Sequence, residues 1–406
     1  MKCLCYATII CTKSDFGISS KILFKLKKNV HVWGNFMEKV HLIAFNVPYP
    51  ADYGGVIDIF YKLKALKNAG VEVILHCFEY GRERSEVLND YCSKVYYYAR
   101  RSGSSYLIDT YPYIVSTRVS SELTTHLKKD NHPVLFEGLH TTACINDILS
   151  PQRKLVVRTH NVEHDYYRGL MEAENNLPRK LFFYSEAVKL KRYEKILSKT
   201  TGIAAISHAD YIYFNEKFNN VNYVPAFHPN NKVDILIGHG EYALFHGNLS
   251  VPENQRAALH LIENVFKKLD YPFIIAGKQP GNEIYKAACI NNHIKVVADP
   301  DEKEMNTLIR HAQMNILMTF QATGIKLKLL ASLFGGRHCI VNPTIVDNTG
   351  LASLCQVAHN DAEFISLVEQ NAKIDFVEDA VQKRIDLLEN EMSNVKNAEK
   401  LLKMLF

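Results

Sequence analysis

From residue 40 onward the chain alternates short apolar runs with longer segments whose apolar positions recur at helical spacing. VHLIAFNV (40–47) precedes a glycine-containing loop, a helical stretch near 56–69 and a second run, VEVILHCF (71–78). KVYYY (94–98), PVLFE (133–137), KLVVRT (154–159) and TGIAAIS (201–207) continue the series. Runs this short and this uniformly apolar suit parallel strands buried on both faces. The helix-length segments between them, the longest from about 177 to 199, predict βαβ units. Periodicity lapses across 224–242, where two prolines fall among glycines and asparagines. A second series follows, with strands predicted at 242–247, 272–277, 294–298, 314–318, 338–342 and 355–359. Its helices are expected near 252–269, 282–291, 302–313, 325–334 and 360–371, with one more over about 376–404. No repeat of 20–50 residues and no low-complexity tract interrupts the pattern.

The fold class this predicts is α/β, with two Rossmann-like domains. Residues 37–223 would form the first, 224–241 a linker and 242–375 the second. The segment 376–406 would be a helix packing back on the first domain. Ligands bind open α/β sheets at the carboxyl ends of the strands, so a cleft between two such sheets suits an enzyme or a hinged binding protein. Fold alone does not choose between them.

Composition changes the picture mainly at the N-terminus. A length of 406 residues suits two domains, and 47% apolar with 22% charged residues is ordinary globular usage. The formal net charge is +5, and all of it falls in the first 36 residues, which hold six lysines and one aspartate. The balanced remainder disfavours a nucleic-acid partner. The nine cysteines include no C-x-x-C pair, and several lie inside apolar runs, as small buried hydrophobes in a reducing compartment. No apolar run reaches the roughly 18–20 residues of a membrane span, so a cytoplasmic protein is expected. Residues 1–36 are expected to be a non-native or disordered extension. Met37 would be the true start, because MEKVHLIAF enters the first strand directly.

TGIKLKLLASLFGGR (323–337) opens a predicted helix after a strand and a short polar loop. A helix N-terminus suits a phosphate, Gly324 lets the backbone approach, and Lys326 adds a full charge. An ordinary amphipathic helix with solvated lysines would read the same way. Three further segments narrow the choice: HGNLSVPENQRAALHLI (246–262), FIIAGKQPG (273–281) and NVPYPADYGGVIDIFYKLKALKNAGVEVILHCF (46–78). Taken in chain order, over nearly all of residues 38–390, the pattern resembles the retaining glycosyltransferases of GT-B fold, the large family 4. The resemblance implies two Rossmann-like domains facing each other across a cleft. It implies sugar transfer, with retention, from a nucleoside-diphosphate sugar to a hydroxyl acceptor, and no obligatory cofactor or metal. By the same resemblance, Gly54, Gly55, Gly247, Asn248, Lys278, Thr323, Gly324, Ile325 and Lys328 would contact the donor. Lys326 would stabilise the departing diphosphate, and His160 would be the cleft histidine beside the transferred sugar. Glu137, His140 and Glu163 would stand on the acceptor side, the first two at the cleft rim. Family habit makes the acceptor a surface polysaccharide or a lipid-linked glycan. Arg100-Arg101 and the basic stretch Lys189–Lys195 would suit peripheral contact with the inner face of the membrane or a phosphorylated lipid acceptor, and a solvated helix face would read the same way.

Three departures carry weight. Ala331 stands where the family has a glutamate that holds the nucleotide ribose, and Thr323 replaces the acid eight residues earlier. The usual Arg…Glu-Lys pattern is reduced to Arg256. An inactive GT-B partner or scaffold protein is therefore the alternative. A third reading takes His160-x-x-Glu163-His164 as an inverted zinc-protease motif, making the chain a zinc hydrolase. It needs both histidines on one helical face, whereas His160 is predicted to end a strand and Asn161 to cap the next helix.

Overall fold

A computed structural model describes residues 38–103, 109–320 and 327–406, apart from the side chain of Ala173. The expected N-terminal extension lies outside the described residues. Glu38–Phe406 form one compact unit.

The described strands make two parallel sheets. The first contains β1 (Lys39–Ala44), β2 (Glu72–Glu79), β3 (Lys94–Ala99), β4 (Val134–Glu137), β5 (Leu155–Thr159), β6 (Gly202–Ala205) and β7 (Val221–Tyr223), ordered β3-β2-β1-β4-β5-β6-β7. The second contains β8 (Ala243–His246), β9 (Phe273–Gly277), β10 (Ile294–Ala298), β11 (Met314–Leu317), β12 (His338–Val341) and β13 (Gln356–Val357), ordered β10-β9-β8-β11-β12-β13. Both are doubly wound. Each reverses direction once, between β1 and β4 and between β8 and β11, and the loops leaving the carboxyl ends there open a crevice. Only the three-residue β7 had no counterpart among the predicted strands, being too short to register as an apolar run.

Helix Gly54–Asn68 shows why the first crevice is well framed. Val56, Ile59, Phe60, Leu63 and Leu66 recur at helical spacing and are buried, and the last four pack in one cluster with Leu42 and Leu75 of the sheet. Gly70, at φ 81°, then turns the chain into β2. Gly54 and Gly55 are the first helical residues here rather than part of the preceding loop.

The C-terminal segment corrects the expectation of one helix. Glu378–Glu391 and Asn394–Leu405 are separate. Leu388 belongs to the core of the second sheet, whereas Ala398, Leu401 and Leu405 belong to that of the first. The break has a tertiary cause. His228 Nε2 donates to the Met392 carbonyl at 2.8 Å, and the Asn394 side chain exchanges hydrogen bonds with the His228 backbone at 2.8 and 3.1 Å. The two crossings between the sheets are thus fastened to each other. No helix among the described residues is long and apolar enough to cross a membrane.

Candidate functional site

Beneath the crevice of the first sheet lies a buried ion cluster. Asp58 and Lys62 come from one face of helix Gly54–Asn68, Glu137 ends β4, and Arg158 lies on β5. All four are 0% exposed. Lys62 Nζ donates to Asp58 at 2.8 Å and to Glu137 at 2.6 Å. Arg158 forks onto both Asp58 oxygens at 2.9 Å and donates to the carbonyls of Val224 and Pro225 at 2.8 and 2.9 Å. Asp58 also accepts from the Phe227 amide at 2.7 Å. Burial alone would raise the Asp58 carboxyl, but Arg158 and Lys62 outweigh it and hold it well below the carboxylate range. For Glu137 burial pushes upward too, and Lys62 with His160 reverses the sign. Two acids against two bases make the cluster self-compensating, which a buried charge requires.

His160 is the part of this network that reaches a cavity. It follows the last residue of β5, is 7% exposed, and its Nε2 lies 2.9 Å from the free oxygen of Glu137. Nε2–H donates to this anionic oxygen, and the second ring nitrogen, Nδ1, has no hydrogen-bond partner. Thr159 Oγ1, His140 Nδ1 and Glu163 Oε1, all buried near the same strand ends, are unpartnered as well. Buried polar groups of this kind call for a partner, from water or from a ligand. Burial, with Asp210 adding, pushes the Glu163 carboxyl up to about 8, against an opposing pull from Arg118. His140 is held well below its ordinary value by burial, with Arg118 and His160 reinforcing. Its Nδ1 stands 3.9 Å from Glu163. Gly138, at φ 71°, makes this turn possible, since a Cβ there would come within 2.7 Å of His140 Nδ1.

The cavity has a volume of about 350 Å³, within the range of small-molecule sites. From the first sheet it takes His160, Asn161, Asp165, Asp210 and Tyr213, and from the second Leu330, Asn348 and Leu351, so it opens between the two halves. Glu137 lies under the cavity floor rather than on the rim expected for it.

On the opposite side, Gly247 and Asn248 leave β8, and Lys278 leaves β9. The Asn248 side-chain oxygen accepts from the Ser250 amide and hydroxyl, and the Asn248 backbone carbonyl accepts from the Asn254 side chain at 2.9 Å. Gly277 packs so closely that a Cβ would meet the Gly247 carbonyl at 1.8 Å. Lys278 reaches across the cleft to Asp52 at 3.6 Å, and Asp52 also binds Arg82 at 2.7 Å. Lys328, at the start of helix Leu327–Gly335, donates to Asn254 and to the Met318 carbonyl. Ala331 packs at the edge of an apolar cluster around Leu244 and Ile309. Thr323, Gly324, Ile325 and Lys326 lie outside the described residues.

The zinc spelling does not gather into one ligand set. His160 serves Glu137, while His164 faces Glu194 at 3.3 Å and Asp165 at 3.4 Å. The helix that follows β5 is capped by Val162, not Asn161, which lines the cavity instead. Asp58, Glu137 and His160 do offer atoms close enough for a metal, but Lys62 and Arg158 already occupy the carboxylates.

No family model matches the chain. A relative from Klebsiella pneumoniae, an uncharacterized 44.6 kDa protein in the cps region, is 27% identical over 316 residues, covering 73% of this chain and 81% of that one. A glycosyltransferase from Rickettsia africae superposes with a TM-score of 0.62 at 12% identity, over 91% of this chain and 98% of that one. Arabidopsis thaliana UGT89C1 complexed with UDP-L-rhamnose gives 0.57 at 13% identity, over 91% and 100%. The chain has the GT-B fold. In this GT-B frame the cavity lies in the cleft between the two domains, with His160 on one wall.

Sequence reasoning missed Asp58, Lys62, Arg158, Asp210 and Gly277. The first three left a signal: charges inside VIDIFYKL and LVVRT, runs otherwise fit for burial, have to be paired with one another.

Proposed function

We propose that the chain transfers a sugar from a nucleoside-diphosphate sugar to a hydroxyl acceptor, with retention, in the manner of the family 4 enzymes it resembles. The observation that carries this reading is His160: a buried imidazole that lines an interdomain cavity, is oriented by Glu137 and keeps one ring nitrogen without a hydrogen-bond partner. Among solved structures of this fold, UGT89C1 is complexed with a nucleotide sugar. The diphosphate would lie on the side of the second sheet, met by the loops at Gly247 and Lys278 and by the helix that Lys326 and Lys328 enter. Gly54 and Gly55 would close over it from the first turn of their helix. Charge developing on the departing diphosphate would be stabilised by those lysines and the helix N-terminus. His160 Nδ1 would accept a hydrogen bond from a sugar or acceptor hydroxyl. Glu163 and His140 would flank the acceptor. Closure of the cleft would exclude water and limit donor hydrolysis.

A surface polysaccharide or lipid-linked glycan is the acceptor we favour, in keeping with the cps-region relative. Helix Leu177–Tyr193 exposes Leu177, Leu181 and Tyr184 beside Arg179 and Lys180, which suits work at an anionic membrane surface.

A second reading, an inactive GT-B scaffold, rests on Ala331 sitting among apolar neighbours where a ribose-binding carboxylate is expected. Thermal denaturation against UDP, GDP, ADP, CMP and dTDP separates the two. A nucleotide at 100 times its dissociation constant adds about 2.7 kcal/mol, a rise of a few degrees for a protein of this size. One nucleotide raising the midpoint supports transfer. No response across the panel supports the scaffold.

A further inference from the structure

The chemistry of the interdomain cavity is one-sided in a way that sugar transfer alone does not specify. Its described lining includes Asp165, Asp210, Asp347 and His160 and contains no lysine or arginine. Lys278 and Lys328, the described lysines proposed for the donor side, are not part of it. The charged side chains of the described lining that carry no proton are thus its carboxylates, whose oxygens accept hydrogen bonds. Tyr213 and Tyr223 add aromatic surface, and Leu330 and Met392 an apolar wall.

Asp210 is the acid best placed to set the preference. It is the third residue of helix His208–Asn215, where its amide is bound by Ser207 Oγ at 3.0 Å. Burial pushes its carboxyl up to about 6, with Ser207 opposing and Asp165 adding, so it is anionic at neutral pH. Asp165 is partly neutralised by Arg168 at 3.0 Å, and Asp347 is exposed. Walls whose carboxylates have no lysine or arginine among them favour a ligand that brings donors and no negative charge. Phosphates and carboxylates bring only acceptors and negative charge, and like charges held together in a site are costly.

We infer that this cavity is the subsite for a hydroxyl-rich or amine-bearing pyranose of the acceptor, with Asp210 selecting uncharged and amino sugars over uronic or phosphorylated ones. The word acceptor rests on the transfer reading; the preference itself does not.

The test is saturation-transfer NMR on the full chain with the methyl β-glycosides of glucosamine, glucose and glucuronate, repeated with Asp210→Asn. Binding of UDP is measured in parallel. The expected order is glucosamine, then glucose, with glucuronate weaker than glucosamine by about tenfold or more in Kd. Asp210→Asn should bring glucosamine and glucose together while the melting midpoint stays near that of the parent. Glucuronate binding as well as glucosamine, an order unchanged in the variant, or no binding by any of the three would overturn the subsite. Sugar binding in the expected order with no affinity for UDP would uphold the subsite and count against transfer. UDP binding with no sugar bound would do the reverse.

Discussion

Glu137 divides its carboxylate between Lys62 and His160. One oxygen accepts from Lys62 Nζ at 2.6 Å and the other from His160 Nε2 at 2.9 Å. The orientation of the cavity histidine is therefore fixed by the same acid that neutralises a buried lysine. Through Asp58 and Arg158 the network continues to the backbone of Val224, Pro225 and Phe227, where the chain crosses between the sheets. The position of His160 and the path of the interdomain crossing are thus set by one cluster.

Glu137→Gln breaks this balance by leaving Lys62 with half its compensation. A loss of about 3–5 kcal/mol in unfolding free energy is expected, the usual cost of removing one partner of a buried ion pair. Urea denaturation measures it. Imidazole nitrogen shifts of His160 should show loss of the single tautomer that the carboxylate enforces. A change within 1 kcal/mol with the tautomer retained would contradict this role for Glu137.

The pH dependence of stability should carry a contribution from Glu163. Its carboxyl rises from 4.5 unfolded to about 8 folded, so the native state holds a proton that the unfolded state releases. Stability from this group is complete below about 4.5 and declines as pH climbs through about 8. Glu163→Gln, which stays neutral, lacks that decline. It should gain on the parent on the order of a few kcal/mol by pH 9, while the two stay close at pH 4. Parallel pH profiles for parent and variant would show that Glu163 is not held protonated.

Gly277→Ala puts a Cβ against the Gly247 carbonyl oxygen. The backbone has to move to admit it, so a loss of about 1–3 kcal/mol is expected. If the donor lies over this loop, nucleotide affinity should fall as well. A control at Gly350, whose Cβ would meet nothing within 4 Å, should leave nucleotide affinity unchanged, although its φ of 73° makes alanine strained there.

Asn394→Ala removes both side-chain hydrogen bonds to the His228 backbone. Leaving that buried segment unsatisfied should cost about 1–3 kcal/mol. Faster amide exchange confined to 226–230 and 391–396 would show that the two crossings hold each other. Exchange unchanged there would show that packing alone fixes them.

The architecture was legible because parallel strands buried on both faces leave unbroken apolar runs, as VHLIAFNV and FIIAG do. That His160 ends the run KLVVRT could be read from the pattern, whereas its role as a cleft histidine came only with the family resemblance. The ion cluster could not be assembled in the same way. Asp58 and Arg158 stand 100 positions apart, and Lys62 and Glu137 stand 75 apart. A single sequence shows that each needs a partner but not which one it has. The break after Met392 was hidden for a similar reason, since local periodicity runs on and the interruption comes from His228, 164 residues away.

Sugar transfer stands or falls on whether donor turnover depends on His160. Release of nucleoside diphosphate from the matching nucleotide sugar should be followed in the parent and in His160→Ala, alongside nucleotide affinity. Transfer predicts nucleotide affinity within a few-fold of the parent and release slowed by about 10²-fold or more, the scale of a lost catalytic group. Unchanged release in the variant, or none from the parent with any nucleotide sugar, would contradict it.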